Sequence, residues 1–379
     1  MRIRLWMLVC LVVVALAVPA LAQDTEMESW TCPDGFQGQT LNVLNWTTYI
    51  SAEDDPETAF NENLIQNFEQ LCGVTIQYDE GLESTEFAIA LLRRGNPGYD
   101  IAVPSDYGIS VLAAEGLLEP LNPENMPHVV ANLSPSFAGL WYDPDNTYSF
   151  PYMWGTIAIG YDRARVGMDV TSWYDLFNYD GPVAWLEDRR NVIGVALTLL
   201  DLDPNTENPD EINQARDFLI DNSANVVSIA QDDGQELLAR GDVDMTIEYN
   251  GDIFQKAAEC EENPDCTADF VYVIPEEGAP RWVDNLVIPV GAPNHALAEV
   301  FMDYLYDPQV AGVNANYIQY GSPNQSAIDQ GLIDEALLDN PGIYPTADIE
   351  ALLFETYDLP DAQIFYDDAW EEIKLAISR

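Results

Sequence analysis

The chain has 379 residues, 47% of them hydrophobic, and a formal net charge of -51 from 65 acidic against 14 basic side chains. So large an acidic surplus repels phosphate backbones and anionic lipid, which excludes nucleic acid and acidic membrane surfaces as natural partners and gathers cations instead. Most of those carboxylates belong to a solvated surface, so net charge alone identifies no ligand.

At the amino end, Arg2 and Arg4 precede an apolar run over 5–18 and the small-x-small sequence Ala20-Leu-Ala22. This is the pattern of a secretory signal peptide over 1–22, cut after Ala22; the run is short for a membrane span. Cys10 follows Val9 rather than the small residue of a lipoprotein site. Residues 23–40 read as an irregular lead-in. Leu41-Asn-Val-Leu-Asn-Trp46-Thr-Thr-Tyr49-Ile50 alternates as a strand that delivers two rings at its carboxyl end. A helical pattern runs through Phe60, Leu64, Ile65 and Phe68 to Gly73, followed by a strand over 74–78. Ser84 caps a helix with Phe87, Ala88, Leu91 and Leu92 on its apolar face and Gly95 at its close. Tyr99-Asp-Ile-Ala-Val103 is a buried strand stopped by Pro104, and 111–118 a short helix.

The remainder repeats that pattern. Strands are predicted over 157–161, 244–248, 270–274 and 286–290. Helices are predicted over 191–200, 209–221, 236–241, 296–306 and 310–317, with a last one from about Phe365. Strands alternating with helices imply α/β architecture with a mainly parallel sheet. Cys260 and Cys266 bracket a polar loop, and an oxidising compartment favours their pairing, with Cys32 and Cys72 available for a second bridge. The absence of any Cys-x-x-Cys pair and the isolation of His128 and His295 argue against metal binding by these four cysteines.

Several segments share one form, a buried strand or turn ending in polar and aromatic residues. They are Asn45-Trp46-Thr-Thr-Tyr49, Pro104-Ser105-Asp106-Tyr107, Glu248-Tyr249-Asn250-Gly251-Asp252, Trp282-Val283-Asp284 and the turn Tyr320-Gly-Ser-Pro-Asn324. Taken singly, Trp46 and Trp282 read as core, and Asp106 and Asp252 as turn-formers or caps. Meeting in one cleft, they make an aromatic box with Asp252 and Asp284 among its walls. A flexible amine needs that combination: rings for its methylenes and ammonium groups, buried carboxylates against the cost of desolvating each charge.

In order and spacing these stretches, with Tyr148-Ser-Phe-Pro-Tyr-Met-Trp-Gly-Thr156 and Trp282-Val-Asp-Asn-Leu-Val-Ile-Pro289, resemble the polyamine-binding (spermidine and putrescine) receptors of bacterial ABC importers over the mature chain. The resemblance implies a two-lobed, type II periplasmic-binding-protein fold that closes on its ligand by a hinge. One lobe would comprise 41–146 with 283–328, the other 147–282 with 329–379. It implies a monomer without a cofactor, a polyamine ligand and a membrane permease as partner. By position, Trp46, Tyr49, Ser105, Tyr107, Trp282 and Asp284 match ligand contacts of the family, with Tyr320, Asp252, Asp188 and Tyr249 added. Tyr249 stands where the family usually has tryptophan. Thr48 and Asn191 occupy places where acids are usual, and Glu355 aligns near a ligand-holding glutamine. An enzyme would need a triad, a metal motif or a phosphate loop that the chain lacks. A receptor of the same fold for another organic cation is the nearer alternative.

Overall fold

A computed structural model describes residues 30–52 and 60–378. The leader and its cleavage site lie outside the described residues. Among the described residues, ten strands form one continuous ladder. They are β1 (Thr40–Leu44), β2 (Thr75–Asp79), β3 (Ile101–Ala102), β4 (Ser149–Asp162), β5 (Val183–Leu186), β6 (Val226–Ala230), β7 (Met245–Tyr249), β8 (Phe270–Val273), β9 (Pro280–Val287) and β10 (Phe354–Glu355). The order is β2-β1-β3-β9-β4-β7-β5-β6, with β10 beside β9 and β8 beside β4. The β2-β1-β3 and β7-β5-β6 triplets are parallel, with helices in their connections, as the alternation predicts. Two antiparallel strands, β9 and β4, join them. Residues 149–156 of β4 pair with β9, while 157–162 pair with β7 and β8. One strand therefore serves both ends of the ladder.

Local sequence accounts for several elements. Asn63 accepts from the Gln66 amide to start the helix Leu64–Cys72, and Gly73 ends it at a φ of 65°. The Ser84 side chain accepts from the Phe87 amide, the predicted cap. The entry to β4 is fixed by Asp143, whose Oδ2 accepts from the amides of Tyr148 and Ser149 and from the Ser149 hydroxyl.

Other elements depart from the expectation. All of β4 is buried, so both faces are apolar and the period of two that marks 157–161 vanishes upstream. The four-residue β5 is wholly buried and lacks a period for the same reason, while β6 is partly exposed with no alternation in its burial. The helix after β3 is Asp106–Ala114, not 111–118, which puts Ser105 at its N-cap. The chain leaves β7 directly into the helix Asn250–Glu262 instead of a turn, placing Asp252 in a first helical turn. Strand β9 runs over Pro280–Val287 rather than 286–290, so Trp282 and Asp284 lie within it and share one face. Val283, on the other face, packs with Phe137 and Trp154.

Two disulfides form, Cys32–Cys72 across 40 residues and Cys260–Cys266 across 6. Loop-closure entropy makes the first the larger contributor, about 4 kcal/mol against about 2 kcal/mol. We expect Cys32→Ala/Cys72→Ala to lower the urea midpoint markedly more than Cys260→Ala/Cys266→Ala. Equal losses would show that chain entropy does not govern their effect.

Candidate functional site

The site is organised around Asp284. Its carboxylate accepts from the Ser105 hydroxyl at 2.6 Å and the Tyr49 hydroxyl at 2.9 Å, and the residue is 5% exposed. A β-bridge between Ser105 and Asp284 brings the helix N-cap to β9. Both partners are neutral. Burial pushes the carboxyl up to about 7, and the two hydroxyls only partly offset it. Tyr49 is held in turn from its backbone: its carbonyl accepts from Tyr152 Oη at 2.7 Å, and Tyr152 Oη accepts from Asn314 at 2.8 Å.

From Tyr49 a row of rings crosses the site. Tyr49 meets Tyr320 at 5.7 Å between centroids, Tyr320 meets Trp282 at 5.1 Å, and Trp282 meets Tyr249 at 6.0 Å. All three contacts are edge-to-face, the geometry aromatic quadrupoles favour. Two glycines make the approach possible. A Cβ at Gly251 would lie 2.5 Å from the Tyr320 ring, and one at Gly155 would lie 2.6 Å from the Trp282 indole.

The far end of the row is acidic. Tyr320 donates to Asp252 Oδ2 at 3.0 Å. Burial, then the charge of Asp232, push Asp252 up to about 8, against the Tyr320 hydrogen bond and Lys256. Glu248, wholly buried beside it, is raised well above the usual carboxylate range by burial, then by Asp252 and Asp232; the amides of Tyr249 and Gln235 offset part of this. Asp188 caps the helix Arg189–Leu199 and accepts from the Asn191 amide at 3.1 Å and from its side-chain nitrogen at 2.7 Å. Burial, with Glu86 nearby, raises it. The Tyr249 phenol is raised by burial, then by the charges of Asp188, Asp232, Glu248 and Asp284.

Of the predicted residues, the structure therefore joins Tyr49, Ser105, Tyr249, Asp252, Trp282, Asp284 and Tyr320 in one connected set, with Asp188 bearing on it through charge. The Trp46 indole N–H instead donates to the Val103 carbonyl, just after β3, at 2.8 Å. Tyr107 is half-buried, and the charges of Glu86 and Asp188 add to that burial in raising its phenol. Glu355 pairs with Arg281 instead of standing free. Sequence reasoning missed Glu86, Tyr152, Asp232 and the acid role of Glu248. It also read Asp106 as a turn-former, whereas Asp106 is a buried carboxyl with Oδ2 unpartnered, raised by burial and by Glu355 and Asp284. Tyr152 was within reach, since it belongs to a stretch already singled out. A row of rings closed by acids suits a slender organic cation: apolar chain along the rings, positive groups against carboxylates.

Residues 63–343 match the family described as bacterial extracellular solute-binding proteins. The putrescine-binding periplasmic protein SpuD of Pseudomonas aeruginosa is 30% identical over 352 residues, covering 89% of this chain and 92% of that protein. PotF of Escherichia coli, also a putrescine-binding periplasmic protein, is 30% identical over 354 residues, covering 89% and 91%. Among solved structures, a putative spermidine/putrescine ABC transporter protein of Listeria monocytogenes superposes with a TM-score of 0.76 at 31% identity, covering 89% of this chain and 99% of that one. The spermidine/putrescine substrate-binding protein PotD of Streptococcus pneumoniae gives 0.74 at 28% identity, covering 90% and 100%.

The raised carboxyls have a stability consequence. With Asp284 near 7 in the folded chain and about 4 in the unfolded one, the native state holds more protons between those values, so stability falls as pH rises through that window. Asp252, near 8, acts in the same direction. We expect the ligand-free protein to be more stable at about pH 5 than at about pH 8. Asp284→Asn should flatten the profile and stabilise at the alkaline end by up to roughly 4 kcal/mol. Urea midpoints measured across this range test it; a profile unchanged by the substitution would refute the protonated native carboxyl.

Proposed function

The chain belongs to the bacterial extracellular solute-binding proteins, and from that premise we propose that it captures a polyamine, putrescine or spermidine, and delivers it to the membrane permease of an ABC importer. The observation that carries this reading is Asp284, buried between two neutral hydroxyls beside a row of rings. A buried carboxylate without a cation is costly, and an ammonium group would supply the missing charge while its methylenes pack on Trp282 and Tyr320. Trp46, Tyr49, Ser105, Tyr107, Asp188, Tyr249 and Asp252 complete the proposed contact set.

The protein works as an exported monomer whose leader is removed after Ala22, and it performs no covalent chemistry. Among the described residues, no helix is long and apolar enough to cross a membrane. Two lobes, 41–146 with 283–328 and 147–282 with 329–379, move about the crossings at the head of β4 and within β9. Tyr49, Trp282, Asp284 and Tyr320 are each no more than 9% exposed. Ligand entry therefore requires the lobes to part, and contacts from both sides then favour closure by differential affinity. The closed form presents its surface to the permease.

Calorimetric titration of the mature protein with putrescine, cadaverine, spermidine and spermine tests the reading. At least one amine should bind, with proton release near pH 7 as Asp284 ionises, giving heats that depend on the buffer. Asp284→Asn should weaken binding by more than about tenfold. Trp282→Ala should lose affinity with its circular dichroism unchanged. Silence with all four amines would end the proposal.

A further inference from the structure

On β7, Tyr249 and Glu248 point to opposite faces of the strand. Tyr249 faces Trp282 and the row of rings. Glu248 shares its face with Thr246, and both lie against Gly234, at the start of the helix Gly234–Arg240; a Cβ there would collide with Glu248 Oε2 and come within 2.5 Å of Thr246 Oγ1. Glu248 is 0% exposed; its Oε1 accepts from the Tyr249 amide at 3.0 Å, the Gln235 amide lies close by, and Oε2 has no well-formed hydrogen bond. The Gln235 side-chain oxygen, one residue beyond that glycine, is likewise buried without a donor. Asp252, half-buried, and Asp232, exposed, each bring a carboxylate oxygen to this point, and the three oxygens lie within 4.8 Å of one another. Lys256 is the nearby cation, but its ammonium is paired with Glu236 at 2.7 Å and Glu259 at 2.8 Å.

We propose that Asp232, Glu248 and Asp252 form a binding site for a hard divalent cation of the Ca²⁺ or Mn²⁺ type, built around the Glu248 face of β7 and reaching the ring row only through Asp252. All three donors are carboxylate oxygens, the ligands such ions take, and bonds of about 2.3–2.6 Å span oxygens up to about 5 Å apart. Charge favours a divalent ion over a single ammonium. With all three groups ionised by the ligand, one ammonium would leave two carboxylates uncompensated, whereas a divalent ion leaves one. Depth is graded from exposed Asp232 to buried Glu248, so an ion can enter from solvent and complete its coordination with water on the Asp232 side. Asp252 also accepts from Tyr320, which joins this site to the ring row between Tyr49 and Trp282.

The test uses mature protein stripped with EDTA, titrated with Ca²⁺ by calorimetry and with Mn²⁺ by electron paramagnetic resonance, with no amine present. One equivalent should bind. Glu248→Gln and, at the exposed position where folding is not at risk, Asp232→Asn should each weaken binding by about tenfold or more. No uptake at millimolar metal would overturn the proposal. So would several weak equivalents indifferent to both substitutions, the signature of a merely acidic surface. A third overturning result is stoichiometric displacement of the metal by spermidine with affinity lost in both variants, which would make the trio an ammonium subsite. Because the primary titration contains no amine, its failure leaves the polyamine reading standing.

Discussion

A carboxylate buried in mid-strand with only hydroxyl groups for company is the constraint around which this molecule is arranged. Asp284 accepts from Ser105 and Tyr49, neither of which carries charge. Hydrogen bonds of that kind moderate the desolvation cost but do not cancel it, which is why its carboxyl sits near 7. The ligand-free protein is therefore least comfortable where its proposed binding chemistry is strongest. A positive guest relieves both problems at once, so affinity arises partly from strain in charge that the empty fold already holds.

Supporting such a group needs a rigid frame. β9 presents Trp282 and Asp284 on one face and buries Val283 on the other against Phe137 and Trp154. Its neighbour β4 is buried along its whole length and pairs with β9 first and with β7 and β8 afterwards. The residues that close on the ring row thus arrive from both ends of the ladder: Tyr49 and Ser105 from the β2-β1-β3 end, Tyr249 and Asp252 from the end of β7. The glycines at 155 and 251 matter for the same reason, because side chains there would occupy the space of Trp282 and Tyr320.

Much of this was legible in the sequence. Alternation and capping located β1, β2, β7 and the helices Leu64–Cys72 and Thr85–Arg93, and the paired aromatic and acidic residues at segment ends named most of the residues that the fold brings together around Asp284. What escaped was physically uninformative at short range. A strand covered on both faces loses its period, as β4 and the four-residue β5 did, and the burial of β6 does not alternate along the strand. Asp232, Glu86 and Asp106 look like any other acid in a chain this acidic. Only folding reveals that they lie beside Asp252, Tyr107 and Asp284.

The departures from the family pattern take on a different meaning once placed in space. Thr48 stands where an acid is usual, yet it adopts a left-handed φ of 53° and its amide donates to Glu80 Oε1 at 3.1 Å, so a carboxylate returns to that corner from another strand's end. Asn191 also replaces an acid, but its side chain donates to Asp188 and accepts from Thr356, fixing Asp188 in position. Negative charge is thus redistributed among neighbouring side chains and held by neutral ones. Electrostatic attraction for a cation depends on where carboxylates stand and how dry their surroundings are, more than on which chain positions supply them. A binding site of this kind can drift in sequence while keeping its field, provided each buried acid retains a hydroxyl or amide to orient it.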